Sequence, residues 1–328
     1  MSRTPRILLY ILSFVLPLCF GCSPSINLFP SPSDPLQEYV LEGEGAEKIL
    51  LIQIRGVIST DPDSGWFTES RGLVQEVEAR LQLAAGDENV KGVVLAIDSP
   101  GGTVTASDIL HEMVQRYKKE TGNPVVAQLM GVAASGGYYT AAAADRILAH
   151  STTLTGSIGT IFMVPQVNGL MDKIGVNVQV FTSGEHKDMG SPFREMTESE
   201  EALIRKIINS DNQVFLGVVR NSRGFSDEQL AAISDARVMT GPQALEAGLV
   251  DEIGYLDDGL KAAKKLAGLK PDASVVVYRR NSVANDTAYN NISTRAAEPA
   301  SILDLGLARY LAVPRTGFYY LWAPEYSQ

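Results

Sequence analysis

The run Val90–Ile97 (VKGVVLAI) carries apolar residues at both odd and even positions, so a strand here has two faces to hide from water. A parallel sheet with helices on both sides provides that cover, whereas a sheet with one wet face calls for alternation. Lys48–Ile54 (KILLIQI) and Pro124–Leu129 (PVVAQL) have the same character. Between them, Leu73–Ala84 and Ala106–Thr121 show helical spacing, and Ser135–Ala144 is Ala-rich and also predicted helical. Short strands are expected near Arg146–Ala149, Thr160–Val164 and Val176–Phe181. Strands alternating with helices imply βαβ units, hence an α/β fold built on a mostly parallel sheet.

The later part of the body is helical. Thr197-x-x-Glu200 is a capping box, after which Leu203, Ile204, Ile207, Ile208, Phe215, Val218 and Val219 recur on one face to about Asn221. Ser226-x-x-Gln229 caps a shorter helix, Gly241-Pro242 opens another that Gly248 stops, and Gly259–Ala267 is the last. Ser274–Tyr278 reads as a closing strand. The 328 residues allow about two domains, or one large one with appendages.

The two ends differ from this body. Arg3 and Arg6 precede an apolar run from Ile7 to Phe20, the pattern of an export signal, and short for a membrane span of about 20 residues. Gly21-Cys22 resembles a bacterial lipobox, in which Cys22 takes the lipid; an uncleaved signal anchor is the alternative. Both readings place the body in the cell envelope, outside the cytoplasm and tethered to a membrane. Residues 23–46, with Pro24, Pro30, Pro32 and Pro35, read as a tether rather than a folded element. The body then spans 47–270, and 271–328 is an extension. Its stretch Ser301–Tyr326 is apolar and aromatic, which suits packing on the domain itself, a neighbouring subunit or a membrane surface.

Scarce residues exclude several chemistries. Cys19 and Cys22 are the two cysteines, so the body has no disulfide, cysteine nucleophile or Cys-ligated metal. Lys+Arg of 28 against Asp+Glu of 38 gives a net charge of −10; losing Arg3 and Arg6 with the leader takes it to −12. That balance argues against nucleic acid as a partner.

Two glycine-bearing turns stand where strands end: Asp98-Ser99-Pro100-Gly101-Gly102 and Gly131 to Gly137. Ligands of open parallel sheets bind at the carboxyl ends of strands, so both turns should share an edge. Glycines let backbone amides face outward, as an oxyanion hole requires. Ser135 lies between small residues at a helix start, with the Gly136 amide beside it. Taken alone, each turn could be no more than a turn, and Ser135 no more than a helix cap. A serine nucleophile needs a base. His111 and His150 read as surface or packing residues; His186 and Lys187 both remain open from spacing. A lysine acts as a base only when neutral, which burial or nearby positive charge favours.

The segments IDSPGG, GVAASGGYY, TGSIGT, SGEHKDMGSPFR and TGPQALEAGLVDEIG, in this order over about residues 47–270, resemble the S49 serine peptidases in their short form, that of signal peptide peptidase A. The resemblance implies a ClpP/crotonase-like fold and a Ser–Lys dyad. Ser135 then corresponds to the nucleophile and Lys187, 52 positions on, to the general base. Ser157 corresponds to the serine that orients the lysine, and the Gly102 and Gly136 amides to the oxyanion hole. His186 becomes a neighbour. Related Ser-His-Asp peptidases carry a histidine where this chain reads Ile158-Gly159-Thr160. The resemblance further implies a membrane-tethered endopeptidase acting on apolar peptides such as cleaved signal peptides, ring-like homo-oligomers, and no cofactor or metal. An acyl-CoA enzyme of the crotonase type and a silent scaffold that binds apolar tails are the competing readings.

Overall fold

The computed structural model of the protein describes residues 34–61, 71–290, 316–322 and 324. The first strands are β1 (Gln37–Glu42) and β2 (Lys48–Arg55), then helix α1 (Leu73–Gly86) and β3 (Val90–Ser99). Next come β4 (Gly101–Thr103), α2 (Val104–Thr121), β5 (Val125–Ala134) and α3 (Gly136–Ala141). Short elements follow: β6 (Arg146–Ala149), β7 (Leu154–Gly156), β8 (Ile161–Met163) and α4 (Asn168–Ile174). The remainder is α5 (Glu198–Arg223), α6 (Asp227–Ile233), β9 (Val238–Thr240), α7 (Gly241–Glu246), β10 (Glu252–Ile253), α8 (Leu256–Leu266), β11 (Ser274–Arg279) and β12 (Gly317–Leu321).

The main sheet runs β1-β11-β2-β3-β5-β6-β10, and every neighbouring pair is parallel except the edge pair β1/β11. This is the α/β architecture expected from strands apolar on both faces. Leu50, Ile52, Val93, Leu95, Ile97 and Leu129 point into one core with α1, α2, α3 and α5. Ile49, Leu51, Val94, Ala96 and Val126 point the other way, onto Leu256, Leu260 and Ala263 of α8. Consecutive residues thus serve opposite layers, which is why no polar alternation survives in these strands. Each such Val, Leu or Ile side chain contributes about 1.5–3 kcal/mol by leaving water.

Both predicted capping boxes form, at Thr197/Glu200 and Ser226/Gln229. Four expectations need correction. Val176–Phe181 is not a strand: Phe181 is 92% exposed, and an alternating pattern without a ladder partner leaves its backbone to water. Gln37–Glu42, assigned to the tether, pairs antiparallel with β11, because the prolines end at Pro35 and the backbone beyond is free to pair. Ser274–Arg279, numbered within the extension, is an inner strand between β1 and β2. β5 runs through Gly131 to Ala134 rather than ending near Leu129, so the second turn contracts to Ser135 itself.

The leader with Cys19 and Cys22, most of the tether and most of 301–326 lie outside the described residues. Among the described residues, no helix is long and apolar enough to cross a membrane.

Candidate active site

Ser135 joins β5 to α3 with φ +52° and ψ −117°, a conformation that costs a non-glycine residue about 1–3 kcal/mol. Two backbone bonds hold it. Its N–H donates to the Gly156 carbonyl at 2.8 Å, and its carbonyl accepts from the Tyr139 N–H at 2.8 Å. The neighbours are small because space demands it: a Cβ on Gly136 would sit 2.3 Å from Ser107 Oγ, and one on Gly137 2.7 Å from the Ser99 carbonyl oxygen. The residue is 1% exposed, and its hydroxyl has no hydrogen-bond partner among the described residues. A strained, buried and unpartnered hydroxyl is costly as structure, and its setting is that of a reacting group.

The first glycine turn comes to the same place. Ser99 pairs with Ala133 across β3 and β5, so both turns share one sheet edge, as expected. Gly101 and Gly102 form the short strand β4 instead of an open turn. Ile58 pins it, donating to the Gly101 carbonyl at 2.8 Å and accepting from the Thr103 N–H at 3.0 Å. Gly101 needs its φ of +102°, and a Cβ there would lie 2.7 Å from the Gly136 nitrogen. The Gly102 nitrogen in turn lies 3.1 Å from where a Cβ on Gly136 would be. The Gly102 backbone therefore lies against that of Gly136, the residue next to Ser135.

Ser157, at φ +51°, follows the Gly156 that receives the Ser135 N–H, and its own N–H donates to the Arg237 carbonyl at 2.8 Å. Lys187 is not joined to Ser135 within one chain. It is exposed, as are His186 and Glu185, on a turn-rich segment. That segment is anchored by Arg194. The guanidinium bonds the Asp188 carboxylate at 2.8 and 2.9 Å and the Glu200 carboxylate at 2.5 and 2.8 Å. Arg194 and the Thr197 N–H hold the Glu200 carboxyl at about 2, and Arg194 holds Asp188 below its ordinary range. The capping box announced Glu200, but nothing local marked Arg194 as the residue that ties it to the lysine segment.

Neither His150 nor His111 bonds the Ser135 hydroxyl. His150 is half-buried beside Tyr255, ring centroids 5.2 Å apart, and burial pushes its imidazole down. His111 is half-buried rather than a surface residue, packing edge-on to Tyr139 at 5.3 Å; burial likewise lowers it.

A second group near Ser135 went unread in the sequence. Tyr139 and Phe215 enclose Tyr320 of β12, whose ring stacks on Tyr139 with centroids 5.1 Å apart. The Tyr320 hydroxyl donates to the Asp211 carbonyl at 2.6 Å and the Tyr139 hydroxyl to Asp108 at 2.7 Å; burial raises both phenols. β12 lies antiparallel to β4 on one side and to β8 on the other. The C-terminal apolar stretch thus packs on its own domain in its described part.

The sequence profile of peptidase family S49 matches residues 117–270. An Enterococcus faecium protein named for signal peptide peptidase SppA is 35% identical over 257 residues, covering 78% of this chain and 74% of that one. A Methanocaldococcus jannaschii protein named as a protease is 40% identical over 236 residues, 71% of this chain and 75% of that one. Protease 4 of Haemophilus influenzae is 30% identical over 81% of this chain, which spans 42% of its length. Among solved structures, a mutant ClpP1 from Listeria monocytogenes aligns with 66% of this chain and 95% of its own, at 21% identity and TM-score 0.41. With relatives of this identity and coverage, the chain belongs to peptidase family S49 and is a serine-type peptidase.

Proposed function

We propose that the protein is an endopeptidase of the cell envelope that degrades apolar peptides, cleaved signal peptides among them, through a Ser135–Lys187 dyad. The observation that carries this reading is the geometry at Ser135: a strained, buried hydroxyl without a partner among the described residues, with the Gly102 backbone packed against neighbouring Gly136. The name borne by the Enterococcus faecium relative supports the substrate class. In this mechanism neutral Lys187 takes the Ser135 proton as Oγ attacks a peptide carbonyl. The two amides stabilise the oxyanion. Lys187 then protonates the leaving amine, and water, deprotonated by Lys187, releases the acyl group from Ser135. Ser157 orients the lysine.

Lys187 reaches this position through assembly into a ring-like homo-oligomer, in which the lysine segment of one subunit completes the cleft of the next. Supporting this, Lys187 is exposed in the single chain, and Val176, Val178, Val180 and Phe181 just before it expose apolar surface. The leader and Cys22 tether the assembly to a membrane, close to its substrates.

The test is turnover of a fluorogenic apolar peptide by the full chain purified in detergent. Ser135→Ala and Lys187→Ala should each abolish it. Equal turnover in all three proteins rejects the dyad.

A further inference from the structure

The chain reaches Ser135 through an irregular stretch of β5. Ile97 of β3 lies opposite Leu129, but the next pair is Ser99 opposite Ala133. One residue of β3, Asp98, therefore faces three of β5: Met130, Gly131 and Val132. At this bulge β5 also changes its other neighbour, from β6 at Val126–Leu129 to β7 at Val132–Ala134. The Ser135 N–H bond to the Gly156 carbonyl at 2.8 Å continues the ladder with β7. Bulges re-aim the chain that follows them, and here that chain carries Ser135.

A bulge takes backbone groups out of the ladder, and those shielded from water must find other partners. Side chains on both edges of β5 supply them. The Val132 N–H donates to Asp98 Oδ1 at 3.1 Å. The Thr153 hydroxyl lies 2.6 Å from the Met130 carbonyl oxygen and 3.1 Å from that of Leu129, and it accepts the His150 N–H at 2.9 Å. Asp98 is held in turn by Arg55, its register neighbour on β2, at 3.3 Å. Thr153 is fully buried, and Gly131 leaves room for the carboxylate: a Cβ there would lie 3.2 Å from Asp98 Oδ1. The bond-cleaving steps use neither Asp98 nor Thr153.

We propose that Asp98 and Thr153 are positioning residues, which clamp the bulge of β5 from its two edges and so set where the Ser135 hydroxyl stands. Asp98 acts by accepting the Val132 N–H, and Thr153 by donating to the Met130 carbonyl. Val132 precedes Ser135 by three residues, so a bulge that relaxes towards a regular ladder shifts the hydroxyl against the peptide carbonyl. A misplacement of about 1 Å at a reacting group can cost about 100-fold in rate. This inference rests on the peptidase reading and adds to it the device that holds the serine. It also gives the Asp98 carboxylate a purpose that its place at the start of the glycine turn does not.

The test uses the full chain in detergent with a fluorogenic apolar peptide. Asp98→Ala should lower kcat by about 10-fold or more with KM little changed, the result of binding that survives and alignment that does not. The Asp98 side chain is 34% exposed, so its truncation leaves little void in the core. Asp98→Asn keeps an oxygen that can accept the Val132 N–H, and should recover most of the lost kcat. On the other edge, Thr153→Val should lower kcat in the same way, and Thr153→Ser, which keeps the hydroxyl, should recover it. Amide hydrogen exchange reads the clamp without turnover: Val132–Tyr139 should exchange faster in Asp98→Ala and Thr153→Val than in wild type, and at the wild-type rate in Asp98→Asn. Wild-type kcat in both Asp98→Ala and Thr153→Val overturns the clamp and leaves the peptidase standing. Equal losses in Asp98→Ala and Asp98→Asn also overturn it, since the charge and not the bond to Val132 then matters. If wild type and Ser135→Ala are equally inert, it is the peptidase reading that fails, and unchanged exchange in Asp98→Ala and Thr153→Val then overturns the clamp as well.

Discussion

The Ser135 N–H donates to the Gly156 carbonyl at 2.8 Å, so the strained turn at the end of β5 is tied to the strand leading into a second strained serine, Ser157. Both have positive φ without being glycine. Ser135→Gly should relieve this strain and raise stability by about 1 kcal/mol while abolishing turnover. Ser135→Ala should abolish turnover without the backbone gain. Thermal unfolding of the two variants separates these effects, and equal Tm values would contradict strain at this position.

Gly102 and Gly217 make opposite predictions for the same substitution. A Cβ on Gly102 would lie 1.8 Å from the carbonyl oxygen of Ile58, whose backbone is fixed by two bonds; one on Gly217, inside α5, meets nothing within 4 Å. Gly102→Ala should cost about 3 kcal/mol, the upper part of the range for overpacking, and eliminate turnover. Gly217→Ala should stabilise by about 0.5–1 kcal/mol through lost backbone freedom in the unfolded chain. Urea unfolding reads both values.

Acid should act on the lysine segment through Glu200. Its carboxyl sits at about 2 in the folded chain against an ordinary 4.5, so the unfolded chain binds more protons between those values. The stabilisation it brings is complete above about 4.5 and disappears as pH falls towards about 2. Glu200→Gln should therefore destabilise the protein at neutral pH and reduce the dependence of Tm on pH in that window. Hydrogen exchange in residues 182–196 should quicken in the variant, since Arg194 loses one of its two carboxylate anchors. A Tm profile parallel to that of wild type would contradict the assignment.

If Lys187 serves the neighbouring subunit, two dead variants should rescue one another. Co-refolded in equal amounts, Ser135→Ala and Lys187→Ala should recover about a quarter of wild-type turnover, the share of randomly mixed head-to-tail interfaces with both groups intact. A dyad formed within one chain gives no recovery.

Much of the sheet was legible because its signal is local. Leu95 and Val94 must be hidden on opposite faces, and only a covered strand hides both. The capping boxes were legible for the same reason, since Thr197 and Glu200 satisfy each other's backbone within three residues. Val176–Phe181 failed because alternation states which face is apolar, not whether a partner strand exists.

The sequence by itself determined the doubly covered strands, the glycines at their ends and the serine between them, since each follows from how a few adjacent residues meet water or avoid a Cβ clash. Only the tertiary structure decided that Tyr320 comes to lie opposite Gly102, and that Arg194 links Asp188, next to Lys187, to Glu200. Tyr320 and Gly102 are far apart in the chain, and their pairing depends on the spacing between two strand edges that exists only once the sheet has folded. Such a gap has no periodicity and no composition, so nothing in the neighbouring residues could have announced it.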